Sequence, residues 1–126
     1  YTYAYEFAKK AFEVNASEIH LVSSVGADSK SNNFYLKTKG QIEDAILELK
    51  FEYTKIYRPS LLIGERSETR LLEKLGQLIS PLFNIFLLGA MKKYRSIDAK
   101  KVARSMVYNN EEKSLKYYYY NDFINQ

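Results

Sequence analysis

The spacing of apolar residues changes along the chain, and each change marks an element. In TYAYEFAKKAFE, residues 2–13, Tyr5, Ala8 and Phe12 fall on one helical face, with Ala4 and Ala11 beside it. Asn15 is a fitting helix stop. EIHLVSS follows, a short run carrying Ile19, Leu21 and Val22, and it suits a buried parallel strand. The polar stretch GADSKSNN reads as a loop in which Asn32 or Asn33 caps the next helix. That helix is expected from Phe34 to Leu49, because Ile42, Ala45, Ile46 and Leu49 stand at i, i+3, i+4 and i+7. Glu43, Asp44 and Glu48 take its wetter face. EYTKIYRPS is the second strand, with Tyr53, Lys55 and Tyr57 alternating against Thr54, Ile56 and Arg58. Pro59 cannot donate to a ladder and should end it.

Beyond Pro59, LLIG reads as a short extended piece and ETRLLEKLGQLIS as a helix. Residues 81–91 are apolar and pack as a short helix or loop layer. DAKKVARSMVYN is helical, with Asp98 as N-cap and Val102, Ala103 and Met106 inward. LKYYYY is a last strand, its tyrosines alternating between faces, and NDFIN opens a helix. Strands alternating with helices imply crossover units and a mostly parallel sheet, so the fold class is α/β.

Composition narrows the reading. The 126 residues suffice for one domain with a core. Hydrophobic residues make up 46% and charged residues 27%, a globular rather than a disordered balance. The net charge of +4 is of mixed sign with no block of like charges, so no nucleic-acid partner is expected. Without cysteine there is no disulfide, thiolate nucleophile or Cys-based zinc site, and a cytoplasmic location is expected. The single histidine, His20, reads as a structural residue rather than a metal ligand. The longest apolar run, residues 78–91, is too short for a membrane span and contains Ser80, Pro81 and Asn84. The chain opens on Tyr1 without a signal-peptide layout, and the expectation is a piece of a longer protein.

Candidate chemistry gathers around residues 23–40. Tyr35 and Lys39, four apart, share one helix face. A lysine cation favours the phenolate, and a tyrosine acting as a base near neutral pH needs about 4 kcal/mol of differential stabilisation. Ser23 and Ser24 end the first strand, where open α/β sheets bind ligands. Tyr-x-x-x-Lys alone arises by chance in a chain with 12 tyrosines. The weight comes from its context: a strand ending in two serines, a polar loop, the pair, then a strand ending in RPS.

SSVGAD at 23–28, NFYLKTKG at 33–40, LEL at 47–49, YRPSLLIGER at 57–66 and YRSIDAKKVA at 94–103 together resemble the short-chain dehydrogenase/reductase family, in its atypical branch of Tat-interacting-protein-like oxidoreductases. The resemblance implies the C-terminal half of a doubly wound, Rossmann-like parallel-sheet domain over residues 1–126, with a small helical substrate-side insertion. It implies an NAD(P)-dependent oxidoreductase exchanging hydride with a carbonyl or alcohol substrate, with NADP as the cofactor and NAD not excluded. Tyr35 would be the acid/base, Ser24 (or Ser23) would orient the substrate oxygen, and Lys39 would hold the nicotinamide ribose. Pro59, Ser60 and Leu61 would lie against the carboxamide, Gly40 would avoid crowding a neighbour, and Arg66 and Arg70 would meet a phosphate or carboxylate. No glycine-rich dinucleotide cradle is present, so roughly 90 residues of βαβ units are expected before Tyr1. The alternative is a non-catalytic NADP(H)-binding regulatory or protein-interaction protein on the same fold. A homodimer or protein partner stays open.

Overall fold

Helix α1 (Thr2–Glu13) forms where the 3.6-residue spacing begins, and it turns Ala8 inward. The computed structural model describes residues 1–60, 62–63, 97–108 and 114–124. After α1, Asn15 takes a φ of 60°, a left-handed conformation that asparagine tolerates better than most residues, and the chain turns into β1 (Glu18–Val22). Helix α2 (Phe34–Glu48) starts at Asn33, whose side-chain oxygen accepts the Leu36 N–H at 3.1 Å. β2 (Tyr53–Tyr57), β3 (Leu62–Ile63), β4 (Ile97–Asp98), α3 (Ala99–Tyr108), β5 (Leu115–Tyr118) and α4 (Tyr120–Ile124) follow.

The chain divides into two compact units. The first holds Tyr1–Arg58 and Asn110–Tyr118, the second Pro59–Asn109 and Tyr119–Gln126. In the first, a three-stranded sheet has the order β1-β2-β5, and both pairings are parallel. The register aligns Leu21, Ile56 and Tyr117, and beside them Val22, Tyr57 and Tyr118. Ala8 of α1, Ile42 and Ile46 of α2, Ile19 of β1 and Phe51 form a buried core, with Tyr5, Ala11, Ala16, Leu21 and Leu49 packed against it. Each fully buried isoleucine contributes about 1.5–3 kcal/mol. Alternation along the strands sends Glu18, His20, Lys55, Tyr57, Lys116 and Tyr118 to the opposite face.

In the second unit β3 and β4 pair in parallel. Asp98 accepts the Lys100 N–H at 2.8 Å and so opens α3 as expected. Ile97, Val102 and Phe123 are buried.

The architecture is therefore mixed α/β, with a three-stranded parallel sheet and four helices among the described residues. Three local expectations need correction. Glu43 is not on a wet face: it is 2% exposed and receives both Nε and Nη2 of Arg58, the Nε bond at 3.0 Å. Its place beside Ile42 and Ile46 drags it under the helix, and a buried carboxylate persists only when paired. On α3 the buried partner of Val102 is Ser105, three residues on, while Ala103 is exposed. β5 stops at Tyr118 because the Tyr119 N–H donates to Asp122 Oδ2 at 2.8 Å, which starts α4, so Tyr120 is helical. The helix expected over residues 68–80 and the apolar layer at 81–91 lie outside the described residues.

Gly40 sets how closely α2 approaches the loop before it. A Cβ there would stand 2.1 Å from the Ser29 nitrogen and 2.3 Å from the Asp28 carbonyl carbon. Both are backbone atoms, which cannot swing aside. Gly40→Ala is expected to destabilise the chain by about 1–3 kcal/mol or more, despite alanine's better helix propensity. Urea denaturation of the variant checks this; a variant as stable as wild type would mean that the loop yields freely.

Candidate functional site

The carboxyl end of β1 brings several of the nominated residues together. Ser23 and Ser24 are buried, at 4% and 8% exposure. The Ser23 N–H donates to the Tyr57 carbonyl at 2.7 Å, so the hydrogen bonding between the two strands runs one residue past β1. Ser24 Oγ donates to the Val25 carbonyl at 3.3 Å. The Ser23 hydroxyl has no hydrogen-bond partner among the described residues. α2 delivers Lys39 to the same place, its Nζ donating to the Val22 carbonyl at 3.1 Å. Tyr35 lies one turn earlier and is 56% exposed, with Lys39 Nζ 5.9 Å from its ring centre.

Two further nominated residues are described. Pro59 is buried and Ser60 half-buried, and both belong to the second unit. Leu61, Arg66 and Arg70 lie outside the described residues. An open cleft of about 400 Å³ is lined by Tyr1, Gln41, Asp44, Ala45 and Glu48, none of them nominated. Among the described residues no group of three or more metal-ligating side chains occurs, and no helix is long and apolar enough to cross a membrane.

Two charged clusters escaped the sequence. One is the Glu43–Arg58 pair; the Arg58 guanidinium also lies 4.5 Å over the Tyr117 ring. The other crosses the far face of the sheet. Glu18 Oε1 bonds both the buried Lys55 ammonium and His20 Nε2, the latter at 2.9 Å, and His20 Nδ1 meets the Tyr57 hydroxyl at 3.0 Å. Tyr57 stacks on Tyr118 at 4.7 Å and 10°. The one available signal was Lys55 in mid-strand, a position that demands a carboxylate on the neighbouring strand. Lys55, with His20 second, holds the Glu18 carboxyl below its usual range. Burial, followed by Tyr118 and Glu18, pushes the Tyr57 phenol well above its usual value.

No family model matches the chain. Three similar proteins from fungi are each named "Protein FMP52, mitochondrial". That of Lodderomyces elongisporus is 53% identical over 66 residues, covering 52% of this chain and 28% of the relative. That of Coccidioides immitis is 40% identical over 102 residues, 81% of this chain and 42% of the relative. That of Candida albicans is 40% identical over 104 residues, 79% and 44%. The chain thus spans less than half the length of these relatives.

These findings correct the resemblance drawn above. Nothing in them points to the short-chain dehydrogenase/reductase family or its Tat-interacting-protein-like branch, and none of these three relatives is named for an oxidoreductase. The assignment as an NAD(P)-dependent oxidoreductase, with its non-catalytic regulatory alternative, falls with it. The cytoplasmic expectation is likewise overturned, since the relatives are named as mitochondrial proteins. The matching stretches have local tasks: Asn33 caps α2, Gly40 admits the loop and Arg58 pairs with Glu43.

The far-face cluster makes stability depend on pH at both ends. The lowered Glu18 contributes in full above its unfolded value of 4.5, and the contribution is lost as pH falls through the lower folded value. The raised Tyr57 contributes in full below its unfolded value of 10.0, and loses its contribution as pH climbs above that. Urea midpoints across the pH range are expected to drop at both limbs; Glu18→Gln should flatten the acid limb and Tyr57→Phe the alkaline one. Unchanged limbs would show that neither group governs them.

Proposed function

We propose that this chain is part of a mitochondrial protein that binds a small, oxygen-rich ligand at the carboxyl end of its parallel sheet, through Ser23, Ser24, Tyr35 and Lys39. The observation that carries this reading is the Ser23 hydroxyl, buried and without a partner among the described residues. Such a hydroxyl costs roughly 1–3 kcal/mol, and a ligand atom that pairs with it recovers the loss. Lys39 supports the reading: its ammonium carries three donors, and the Val22 carbonyl takes one. Ser24 adds a second hydroxyl beside the first, and Tyr35 an exposed ring one helical turn away. The place agrees with the general habit of parallel sheets to bind ligands off their carboxyl ends.

A nucleotide is the ligand to try first, because ribose hydroxyls and phosphates are rich in oxygen acceptors; NADP(H) precedes NAD(H) in that order. Neither hydride transfer nor a regulatory role forms part of the proposal. The finer architecture, the C-terminal half of a doubly wound Rossmann-like domain over residues 1–126, belongs to it. The all-parallel strand order supports that view, as do relatives of which the chain spans less than half. Mitochondrial placement rests on the names of those relatives, and fractionation of cells making the tagged full-length protein checks it.

Ser23→Ala separates binding from stability. Removing an unsatisfied hydroxyl is expected to leave the chain equally stable or up to about 1 kcal/mol more stable in urea. The same change should weaken binding of NADPH by about tenfold in calorimetry, with ribose 5-phosphate and inorganic phosphate as simpler probes. Lys39→Met should weaken binding as well. If no probe binds, or if Ser23→Ala binds as wild type does, the reading fails.

A further inference from the structure

The far face of the sheet carries a chain of hydrogen bonds that ends next to Ser23. Glu18 accepts from Lys55, which keeps it a carboxylate that can only accept. His20 Nε2, 2.9 Å from the same oxygen, must then carry a hydrogen. In the neutral ring that leaves Nδ1 bare, and the Tyr57 hydroxyl, 3.0 Å away, donates to it. The carbonyl of Tyr57 in turn accepts the Ser23 N–H at 2.7 Å. One residue therefore joins a titratable ring to the backbone at the carboxyl end of β1.

We propose that His20 is a proton-controlled switch: neutral, it accepts from the Tyr57 phenol, and protonated, it donates to the phenol oxygen instead, a reversal that is felt at the Tyr57–Ser23 backbone bond. Protonation places an N–H on Nδ1, where the phenol now donates. The phenol must turn its hydrogen from that acceptor, and the Tyr57 ring, stacked between His20 at 5.7 Å and Tyr118 at 4.7 Å, shifts with its strand end. Among the described residues, the ionisable groups on this face besides His20 are Glu18 on β1, Tyr53, Lys55 and Tyr57 on β2, and Lys116 and Tyr118 on β5. Glu18 favours the added charge, and Lys55 and Lys116 oppose it. Their balance sets the pH of the change but not its direction, which follows from the one proton on Nδ1.

Nuclear magnetic resonance of the whole chain tests this without any ligand, so its outcome is independent of the binding reading. The ring nitrogen signals of His20 should show the Nε2–H form at neutral pH. As pH falls, the Ser23 amide signal should move with the same midpoint as the His20 ring. In Tyr57→Phe the ring should still titrate while the Ser23 movement is lost, and in His20→Gln the Ser23 signal should stay constant over that range. An Nδ1–H ring, a ring that stays neutral until the chain unfolds, or a Ser23 signal that ignores the ring's titration would each overturn the proposal.

Discussion

The bond between Glu43 and Arg58 decides where α2 sits, and α2 carries half of the candidate site. Arg58 lies one residue past β2, and it holds both α2 and β5. Its Nε donates to Glu43 on α2 at 3.0 Å, its N–H donates to the Tyr118 carbonyl of β5 at 2.8 Å, and its guanidinium covers the Tyr117 ring. A buried pair of this kind adds little against a well-packed apolar substitute, yet removing one partner costs about 3–5 kcal/mol, because the other is left charged and dry. What the pair supplies is a fixed place. Lys39 stands one turn before Glu43, so pinning Glu43 brings the lysine to the end of β1.

The two faces of the sheet work differently. Toward α1 and α2 the contacts other than the Glu43–Arg58 pair are apolar and non-directional, and exchanges among aliphatic side chains of similar volume would be tolerated there. The opposite face is directional throughout. The rings of His20, Tyr57 and Tyr118, one per strand, lie within 15° and 10° of their neighbours, and Lys116 sits 4.7 Å over the last. Carboxylate, imidazole and phenol there each have one geometry that satisfies them.

Much of the fold was legible because period is a strong signal. The helix from residue 2, the strands at 18 and 53 and the parallel pairing all follow from spacing and turn chemistry, and of the two asparagines offered as a cap the structure uses Asn33. Glu43 was not legible, because a pattern counts a carboxylate as wet and its partner lies 15 residues on, across a strand end. Tyr120 was misread because a run of tyrosines looks extended until Asp122 caps the helix from within. The site was legible only in outline. A strand ending in serines and a lysine four residues after a tyrosine were visible, whereas the tether of Lys39 to Val22 and the solitary Ser23 hydroxyl exist only in three dimensions. The same short stretches produced a family resemblance that comparison with known proteins does not carry, since caps, close-packing glycines and strand-ending prolines recur wherever parallel strands alternate with helices.

The centre of the candidate site is the peptide between Val22 and Ser23, not the tyrosine. Its carbonyl holds the Lys39 ammonium, its N–H holds the Tyr57 carbonyl, and the next hydroxyl along is buried with nothing to bond among the described residues. Backbone fixed from both strands and a helix is rigid, and rigid donors lose little entropy when a ligand arrives. Tyr35 has neither property: more than half of it is in solvent, where its ring can move freely. A ligand seated on this peptide would meet Ser23 and Lys39 first and order Tyr35 afterwards. The first two would then set whether it binds, and the tyrosine what shape it can have.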